Sequence, residues 1–366
     1  MNDYFVTKVR QLRARIGKSN DEDPLSKLRE KHKGKNMTFS FRPLTIKEIE
    51  TIIRRMKKSG SCGIDGISSV HVKSVTKEIA PALAELTNSS LSEGVFPKCF
   101  KLAKVICAYK GKGKKSDKSN YRPISILPIF GKCIEIAVDI QLRKYCEDHG
   151  LFGSHQHGFR RSRSTHTALL TAVTRWRTNK NEKKHQAVLL FDLSAAYDLL
   201  DKDLFLKKVK ILGIRGQAHD WLASYLTGRS QLVQVNEARS TEQKVEYGTP
   251  QGSACSCLIF AVFVGDISLW VENSEVQAFA DDTFITVEAD SLQELKAILE
   301  NEGERALSFF NINLMVTNPS KTGLLVFRPQ SGLSHEDPLH ITLCGEKIEE
   351  VSESKILGMW ISKDLK

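Results

Sequence analysis

Three aspartates of this sequence stand where apolar, strand-like segments end. Asp192 follows the apolar run "AVLLF", and the adjacent Asp281 and Asp282 interrupt the stretch "VQAFADDTFITV". Because the flanking residues read as two strands, the pattern predicts a hairpin with residues 280–282 at its tip. If Asp192 ends a neighbouring strand of the same sheet, all three carboxylates converge at one edge of that sheet.

Carboxylates gathered in this way need a compensating charge. Three of them within a few ångströms cannot all stay ionised unless cations neutralise them. Their hard oxygen atoms favour Mg²⁺ or Mn²⁺ over zinc. Two such ions about 3.5–4 Å apart suit phosphoryl transfer, because one activates the attacking hydroxyl and the other stabilises the leaving group. Asp-Asp is also a common turn dipeptide, so the pair alone leaves a surface turn as the alternative.

The elements around these aspartates mix helices with strands. Residues 131–150 and 292–312 have the periodicity of amphipathic helices, and Ser164 is predicted to cap a third helix. Residues 103–110 and 121–129 read as a hairpin joined by a basic loop. Strands and helices alternate without regular βαβ units, which predicts an α+β fold in which a sheet is layered with helices.

Composition and charge are those of a globular protein with a possible polyanionic partner. The net charge is +11, and residues 101–120 hold seven lysines against one aspartate, as either a solvated loop or a basic hairpin that closes on phosphates. The eight cysteines include no C-x-x-C pair, which favours reduced thiols. No long apolar run or signal-peptide pattern is present. We therefore expect a soluble intracellular protein with no membrane partner, in the nucleus, the cytoplasm or both.

Six motifs follow one another at regular places along the chain: "NYRPISILPIFGKCIE", "HGFRRSRST", "FDLSAAYDLLD", "GTPQGS", "FADD" and "NPSKTGLLVF". Together they closely resemble the reverse transcriptases of non-LTR (LINE-type) retrotransposons, from about residue 60 to the C-terminus. The resemblance implies a right-hand polymerase of fingers and palm, with an antiparallel palm sheet backed by helices and a thumb largely absent. It divides the chain into a linker or N-terminal tail (1–40), fingers (41–185) and a palm (186–366) that ends at a primer-positioning strand, "KILGMWIS".

The resemblance also implies catalytic and metal-binding roles. Asp192 and Asp281 correspond to the principal ligands of two Mg²⁺ (or Mn²⁺) ions, and Asp282 to their less central catalytic partner. The backbone carbonyl of either Phe191 or Leu193 is expected to complete the coordination of the second ion. The implied reaction is attack of a primer 3′-hydroxyl on the α-phosphate of a dNTP, directed by an RNA template.

Substrate contacts follow from the same resemblance. Arg122 corresponds to the arginine that grips the triphosphate, and Tyr197 to an aromatic gate against the ribose 2′-hydroxyl. The other implied dNTP contacts are Gln251, a fingers lysine (Lys110, with Lys112 and Lys104 as alternatives) and Lys321, either a general acid or a phosphate contact. The implied template contacts are Phe159, Arg160, Arg161 and Gly252.

One departure from the family pattern keeps a second interpretation open. After "GTPQG" the family usually continues with a small residue, Leu, Gly and Pro, whereas this chain has residues 254–257 as "ACSC". The alternative is therefore a degenerate, catalytically weak fragment that binds RNA. An RNA-dependent RNA polymerase is a third interpretation, disfavoured by Tyr197 and the "YRPIS" motif. We expect RNA template, DNA primer and dNTP as partners, and an endonuclease and thumb on a longer parent protein.

Overall fold

The structure is a computed structural model, described here over residues 1–16, 22–318, 321–329 and 337–365. It divides into two compact units that interleave along the sequence. The first unit comprises residues 1–15, 29–149 and 197–260, and the second comprises 16–28, 150–196 and 261–366. Both units contain helices and strands, which confirms the α+β class. The fingers and palm assignment and its boundaries stay predictions.

The helices of the described residues are, in chain order, α1 (Asn2–Ala14), α2 (Ser26–His32), α3 (Ile46–Arg55), α4 (Ser69–Ser74), α5 (Thr76–Glu93), α6 (Ile129–Asp148), α7 (Thr165–Asn181), α8 (Ala196–Leu199), α9 (Lys202–Ile211), α10 (Gly216–Leu226), α11 (Ser256–Phe263) and α12 (Leu292–Ile312). The predicted helices at 131–150 and 292–312 are confirmed as α6 and α12. Ser164 caps α7, because its side chain accepts a hydrogen bond from the Thr167 backbone N–H.

The strands of the described residues are, in chain order, β1 (Leu102–Tyr109), β2 (Tyr121–Ile126), β3 (His185–Phe191), β4 (Arg229–Val235), β5 (Ala238–Arg239), β6 (Gln243–Val245), β7 (Glu275–Phe279), β8 (Asp282–Ala289), β9 (Gly323–Phe327), β10 (His340–Leu343), β11 (Glu346–Glu349), β12 (Glu353–Ile356) and β13 (Met359–Ser362). The motif "KILGMWIS" was expected to be a single strand. This prediction was wrong, because the motif turns at residues 357–358 and its two halves pair as the β12–β13 hairpin.

The first unit is organised around a five-stranded mixed sheet. Its strands run in the order β2-β1-β4-β5, and β6 pairs with β4. The β1–β2 hairpin is antiparallel, as the sequence predicts, while β1 and β4 pair in parallel although about 120 residues separate them. Helix α1 packs on this sheet through Phe5, which contacts Val105 and Val233. The segment expected to be a linker or tail therefore contains helices, and α1 is part of the first unit's core.

The second unit is built on a four-stranded antiparallel sheet in the order β7-β8-β3-β9. Helix α7 covers one face, where Trp176 packs against Val188 of β3. On the other face the α12 side chain of Phe310 lies 5.5 Å from Phe191, measured between ring centroids. Strand β3 is thus buried on both faces, which explains why its sequence is apolar without a period of two. In the described part of the chain, no helix is long and apolar enough to span a membrane.

Candidate active site

Strand register brings the three predicted carboxylates to the same end of the second unit's sheet. The β3–β8 pairing ends at Phe191 and Thr283, so the next residues, Asp192 and Asp282, follow on adjacent strands. Phe279 pairs with Asp282, which leaves only residues 280–281 in the turn. The predicted three-residue tip is therefore corrected to a two-residue turn. Adjacent strands lie about 4.8 Å apart, so the backbones of Asp192 and Asp282 are neighbours at this end of the sheet.

The electrostatics of this end reflect the crowding of negative charge. The pKa of Asp282 is raised, first by desolvation of its carboxyl and then by the charges of Asp281 and Asp192. Asp192 is 39% exposed, and its Oδ2 atom accepts a hydrogen bond from Lys321 Nζ at 2.8 Å. Within the second unit, one ammonium group thus offsets part of the charge of the cluster. Lys321 therefore pairs with one of the three predicted metal ligands, and its predicted contact with dNTP stays a prediction.

The chemistry of these donors fits a divalent ion. Carboxylate oxygens are the ligands that Mg²⁺ and Mn²⁺ prefer. Desolvation is the main cause of the raised pKa of Asp282, and the charges of Asp281 and Asp192, which add to it, are ones that a divalent ion would offset. No three His, Cys, Asp or Glu side chains among the described residues are arranged to hold a metal. Leu193 forms an isolated antiparallel bridge with Thr317, and the flanking hydrogen bonds use the carbonyls of Asp192 and Val316 rather than that of Leu193.

Hydrogen bonds in the first unit join the segments that carry three of the predicted substrate residues, Arg122, Tyr197 and Gln251. The Ser125 N–H of β2 donates to the Gln251 carbonyl at 2.7 Å, which joins the strand of Arg122 to the "GTPQGS" loop. The Gln251 side chain donates to Asp198 Oδ1 at 2.8 Å. Thr249 N–H donates to the Tyr197 carbonyl at 3.0 Å. Strand β2, the "GTPQGS" loop and helix α8, which carries Tyr197, therefore form one hydrogen-bonded group.

The backbone conformation at residue 252 and its close approach to β2 require glycine at this position. Its φ angle is +115°, and an added Cβ would lie 2.5 Å from the Ser125 carbonyl oxygen. Only glycine allows both this conformation and this approach. The Gly252 position was predicted to contact the template, and in the first unit it serves the packing of the loop on β2.

The side chains of Tyr197 and Arg122 differ in how they are held. The Tyr197 ring packs on Phe260 with centroids 4.7 Å apart and planes inclined by 30°. Arg122 lies opposite Ala108 in the hairpin and is exposed. Among the described residues, no hydrogen bond or ion pair of its guanidinium is found. Tyr197 is thus fixed in place, whereas Arg122 is available to an anionic ligand.

Two basic residues predicted to bind substrate, Lys110 and Arg160, donate hydrogen bonds from their side chains to nearby backbone carbonyls. Lys110 Nζ donates to the Ser119 carbonyl at 2.7 Å across the basic hairpin. Arg160 Nη1 donates to the carbonyls of Gly153 and Gln156, at 2.7 and 3.1 Å, and its guanidinium lies over the Phe152 ring. Both residues therefore stabilise their loops. By contrast, Arg161 is exposed, and Phe159 is 42% exposed with a positive φ of 58°.

Three residues of these regions were missed by the sequence analysis. Asp198 accepts from Gln251, and burial raises its pKa to about 6. Glu135 of α6 is fully buried, and its Oε2 atom accepts from the Ala254 N–H at 2.8 Å. Gln156 is fully buried beside the turn at 280–281. In the sequence, each of them could be noticed only as an acid or amide among apolar residues, and this pattern does not show which group it would hydrogen-bond.

The matching family is the reverse transcriptases. The family model described as reverse transcriptase (RNA-dependent DNA polymerase) matches residues 112–361, so the chain belongs to this family. Its relatives include the RNA-directed DNA polymerase from the mobile element jockey of Drosophila melanogaster, 27% identical over 70% of this chain and 29% of that protein. The Pol polyprotein of the type-1 retrotransposable element R1 of Bradysia coprophila is 27% identical over 87% of this chain and 31% of that protein.

A further relative places the chain among the non-LTR elements. The RNA-directed DNA polymerase from jockey of Drosophila funebris is 25% identical over 90% of this chain and 36% of that protein. The resemblance to non-LTR retrotransposon reverse transcriptases is therefore confirmed. The chain spans about a third of the length of the curated relatives it matches.

Proposed function

We propose that the chain is an RNA-directed DNA polymerase core that extends a DNA primer on an RNA template. The observation that carries this proposal is the placement of Asp192, Asp281 and Asp282 at the same end of two adjacent antiparallel strands. Acids in this arrangement suit nucleotidyl transfer, since the reaction needs cations held close to the triphosphate. The greater length of the relatives supports a longer parent protein with further domains.

Within this proposal, Asp192 and Asp281 hold divalent ions and Asp282 assists them. When bound, Mg²⁺ or Mn²⁺ supplies charge neutralisation and a more acidic primer 3′-hydroxyl. Lys321 offsets the charge of Asp192 through their ion pair, and its ammonium would be available to the triphosphate or pyrophosphate if Asp192 held an ion in its place. The carbonyl of Leu193 is a further oxygen donor at the same strand end.

The first-unit residues are proposed to select and bind the dNTP. Arg122 supplies a planar guanidinium that matches phosphate oxygens. Gln251 presents an amide that Asp198 orients, and the Tyr197 ring excludes the 2′-hydroxyl of a ribonucleotide. Lys110 needs to leave its backbone partner before it contacts phosphate. For the template, we propose the exposed Phe159 and Arg161, because base stacking and phosphate contact need accessible side chains.

The hydrogen bonds of Glu135 argue against decay of the "GTPQGS" loop. The unusual "ACSC" sequence follows this loop, yet the Ala254 N–H donates to the Glu135 carboxylate at 2.8 Å and the Cys255 thiol donates to the Glu135 backbone carbonyl at 3.2 Å. The start of α11 is therefore held without the proline usual in the family. This supports an active polymerase over a degenerate fragment.

Primer extension by the purified protein tests the proposal. Primed RNA, dNTPs and Mg²⁺ should give template-directed extension that chelation of Mg²⁺ abolishes. The same assay with a primed DNA template of the same sequence checks the template class. The same assay with NTPs in place of dNTPs checks the nucleotide class. Salt-sensitive RNA binding without any extension would overturn the proposal and favour the binding-only fragment.

A further inference from the structure

Residues 155–158 form a short support along β7, the strand that enters the aspartate turn. Gln156 makes an isolated parallel bridge with Ala278. On either side of it, the His157 N–H donates to the Ala278 carbonyl at 2.7 Å, and the Ala278 N–H donates to the His155 carbonyl at 3.0 Å. The segment that precedes "GFRR" therefore extends the antiparallel sheet by one bridge beyond β7.

The side chain of Gln156 continues this contact into the turn. Its Oε1 atom accepts from the Ala280 N–H at 3.1 Å and from the Gly158 N–H at 2.7 Å. Its Nε2 atom lies 3.5 Å from the Ala280 carbonyl, within reach of a weak donated bond. The amide thus contacts both polar backbone groups of the residue that precedes Asp281.

Ala280 needs this support because of its backbone conformation. Its φ angle is +60°, a left-handed value that costs an ordinary residue free energy and that glycine usually adopts at the first position of such a turn. Gly158 adds a second constraint, since a Cβ at this position would collide with the Ala280 nitrogen. An amide on one side and a close backbone on the other therefore fix the turn.

Gln156 has no access to a substrate. Its exposed fraction is 0%, so it reaches neither nucleic acid nor nucleotide directly. Any effect on catalysis is transmitted through Ala280 to the next residue, Asp281. Residues that orient a metal ligand commonly influence metal affinity as much as some ligands do.

We propose that Gln156 is a positioning residue, whose amide holds Ala280 in the left-handed conformation and so directs the Asp281 carboxylate toward a divalent ion. This inference rests on the proposed function, because it presumes that Asp281 binds the ion. It explains why a buried amide, rather than an apolar side chain, faces the turn. It also gives the residues before "GFRR" a role that does not involve the template.

The test compares Gln156→Met with Gln186→Met by electron paramagnetic resonance of bound Mn²⁺. Both substitutions keep side-chain length and remove a fully buried amide, but the Gln186 amide bonds Asn179 and Trp176, away from the turn. We expect Gln156→Met to weaken Mn²⁺ binding at least about tenfold, while Gln186→Met leaves it unchanged. In primer extension, Gln156→Met should lower kcat without raising KM for dNTP, and higher Mg²⁺ should restore part of the loss.

The outcomes separate this inference from the function on which it rests. Wild-type protein that binds no Mn²⁺ and extends no primer overturns both. Mn²⁺ binding that Asp281→Asn weakens and Gln156→Met leaves unchanged overturns the positioning role alone. If Gln156→Met does not fold, hydrogen exchange in the wild type decides: the Ala280 amide should be protected at least about 100-fold, and exchange at the rate of an open amide would refute the contact.

Discussion

The carboxylate end of β3 and β8 and the loop at residues 248–253 are fixed by different means. At the carboxylate end, continuous strand pairing places Asp192 beside Asp282, and each acid lies at most two residues from a ladder bond. The loop instead depends on single hydrogen bonds to residues more than fifty positions away, from Ser125 and to Asp198. We therefore expect substitution of the acids to leave the fold intact, whereas changes around the loop should alter its position and the titration of Asp198.

The largest expected effect lies at the carboxylate end. Asp192→Asn keeps the size of the side chain and removes the charge that holds Lys321 and, by our proposal, a divalent ion. Primer extension should fall at least about 100-fold, because metal ions contribute several kcal/mol to such reactions. The unfolding midpoint in urea should change little. Normal extension by Asp192→Asn would remove this residue from the catalytic group.

Tyr197 should have the next largest effect, on selectivity rather than rate. Tyr197→Ala removes the ring that packs on Phe260 and opens the space proposed to exclude a 2′-hydroxyl. We expect the ratio of kcat/KM for dNTP over NTP to fall about 10- to 100-fold. Tyr197→Phe keeps the ring and should retain the ratio. Equal selectivity in the wild type and in Tyr197→Ala would show that the gate lies elsewhere.

Arg122 tests whether the first unit binds the triphosphate. Arg122→Ala removes charge-assisted hydrogen bonds to phosphate and should raise KM for dNTP about tenfold or more. Steady-state extension at varied dNTP measures this change. Arg239→Ala, at an exposed position of β5 in the same sheet, is the control for net charge. An equal rise in both variants would indicate a long-range charge effect rather than a contact.

The smallest expected effect is on stability, through Asp198. Burial raises the pKa of this carboxyl to about 6, although the Gln251 hydrogen bond and the charge of Lys8 oppose the shift. A carboxyl with a raised pKa favours the folded state below its unfolded value of about 3.9, and this contribution is lost as pH rises through about 6. Asn does not titrate, so Asp198→Asn lacks this loss.

Urea unfolding at two pH values measures the difference. From pH 5 to pH 7.5, the wild type should lose about 1–2 kcal/mol of unfolding free energy relative to Asp198→Asn, once solvent screening is allowed for. The same pH dependence in both proteins would mean that Asp198 stays ionised at pH 5. The loop would then rest on a charged group rather than a neutral one.

The same contrast explains how much could be predicted from sequence. The positions of the acids could be predicted because both an apolar strand that ends before Asp192 and a hairpin around Asp281 are local sequence patterns. One further assumption, that the strand and the hairpin are neighbours in one sheet, brings the acids together. The helices α6, α7 and α12 follow from periodicity and a cap. The parallel pairing of β1 with β4 and the bond from Gln251 to Asp198 link distant residues, and no local pattern encodes them.

The hydrogen-bond partners of the loop cations could not be predicted from sequence. Lys110 and Arg160 are basic residues in loops that the family resemblance assigns to substrate, yet both donate to nearby carbonyls. Sequence shows that a charge is present but not whether the backbone already satisfies it. The turn at 280–281 was missed by one residue, because the residue at which β8 begins is set by its pairing with Phe279 and not by a pattern within the hairpin sequence.

The most direct test of the central claim is primer extension by Asp281→Asn and Asp290→Asn, side by side with the wild type. Asp290 follows the opposite end of β8 and is exposed, so it matches Asp281 in residue type and strand but lies outside the proposed site. The account predicts template-directed extension by the wild type and Asp290→Asn, and none by Asp281→Asn. Extension by Asp281→Asn at the wild-type rate would contradict it.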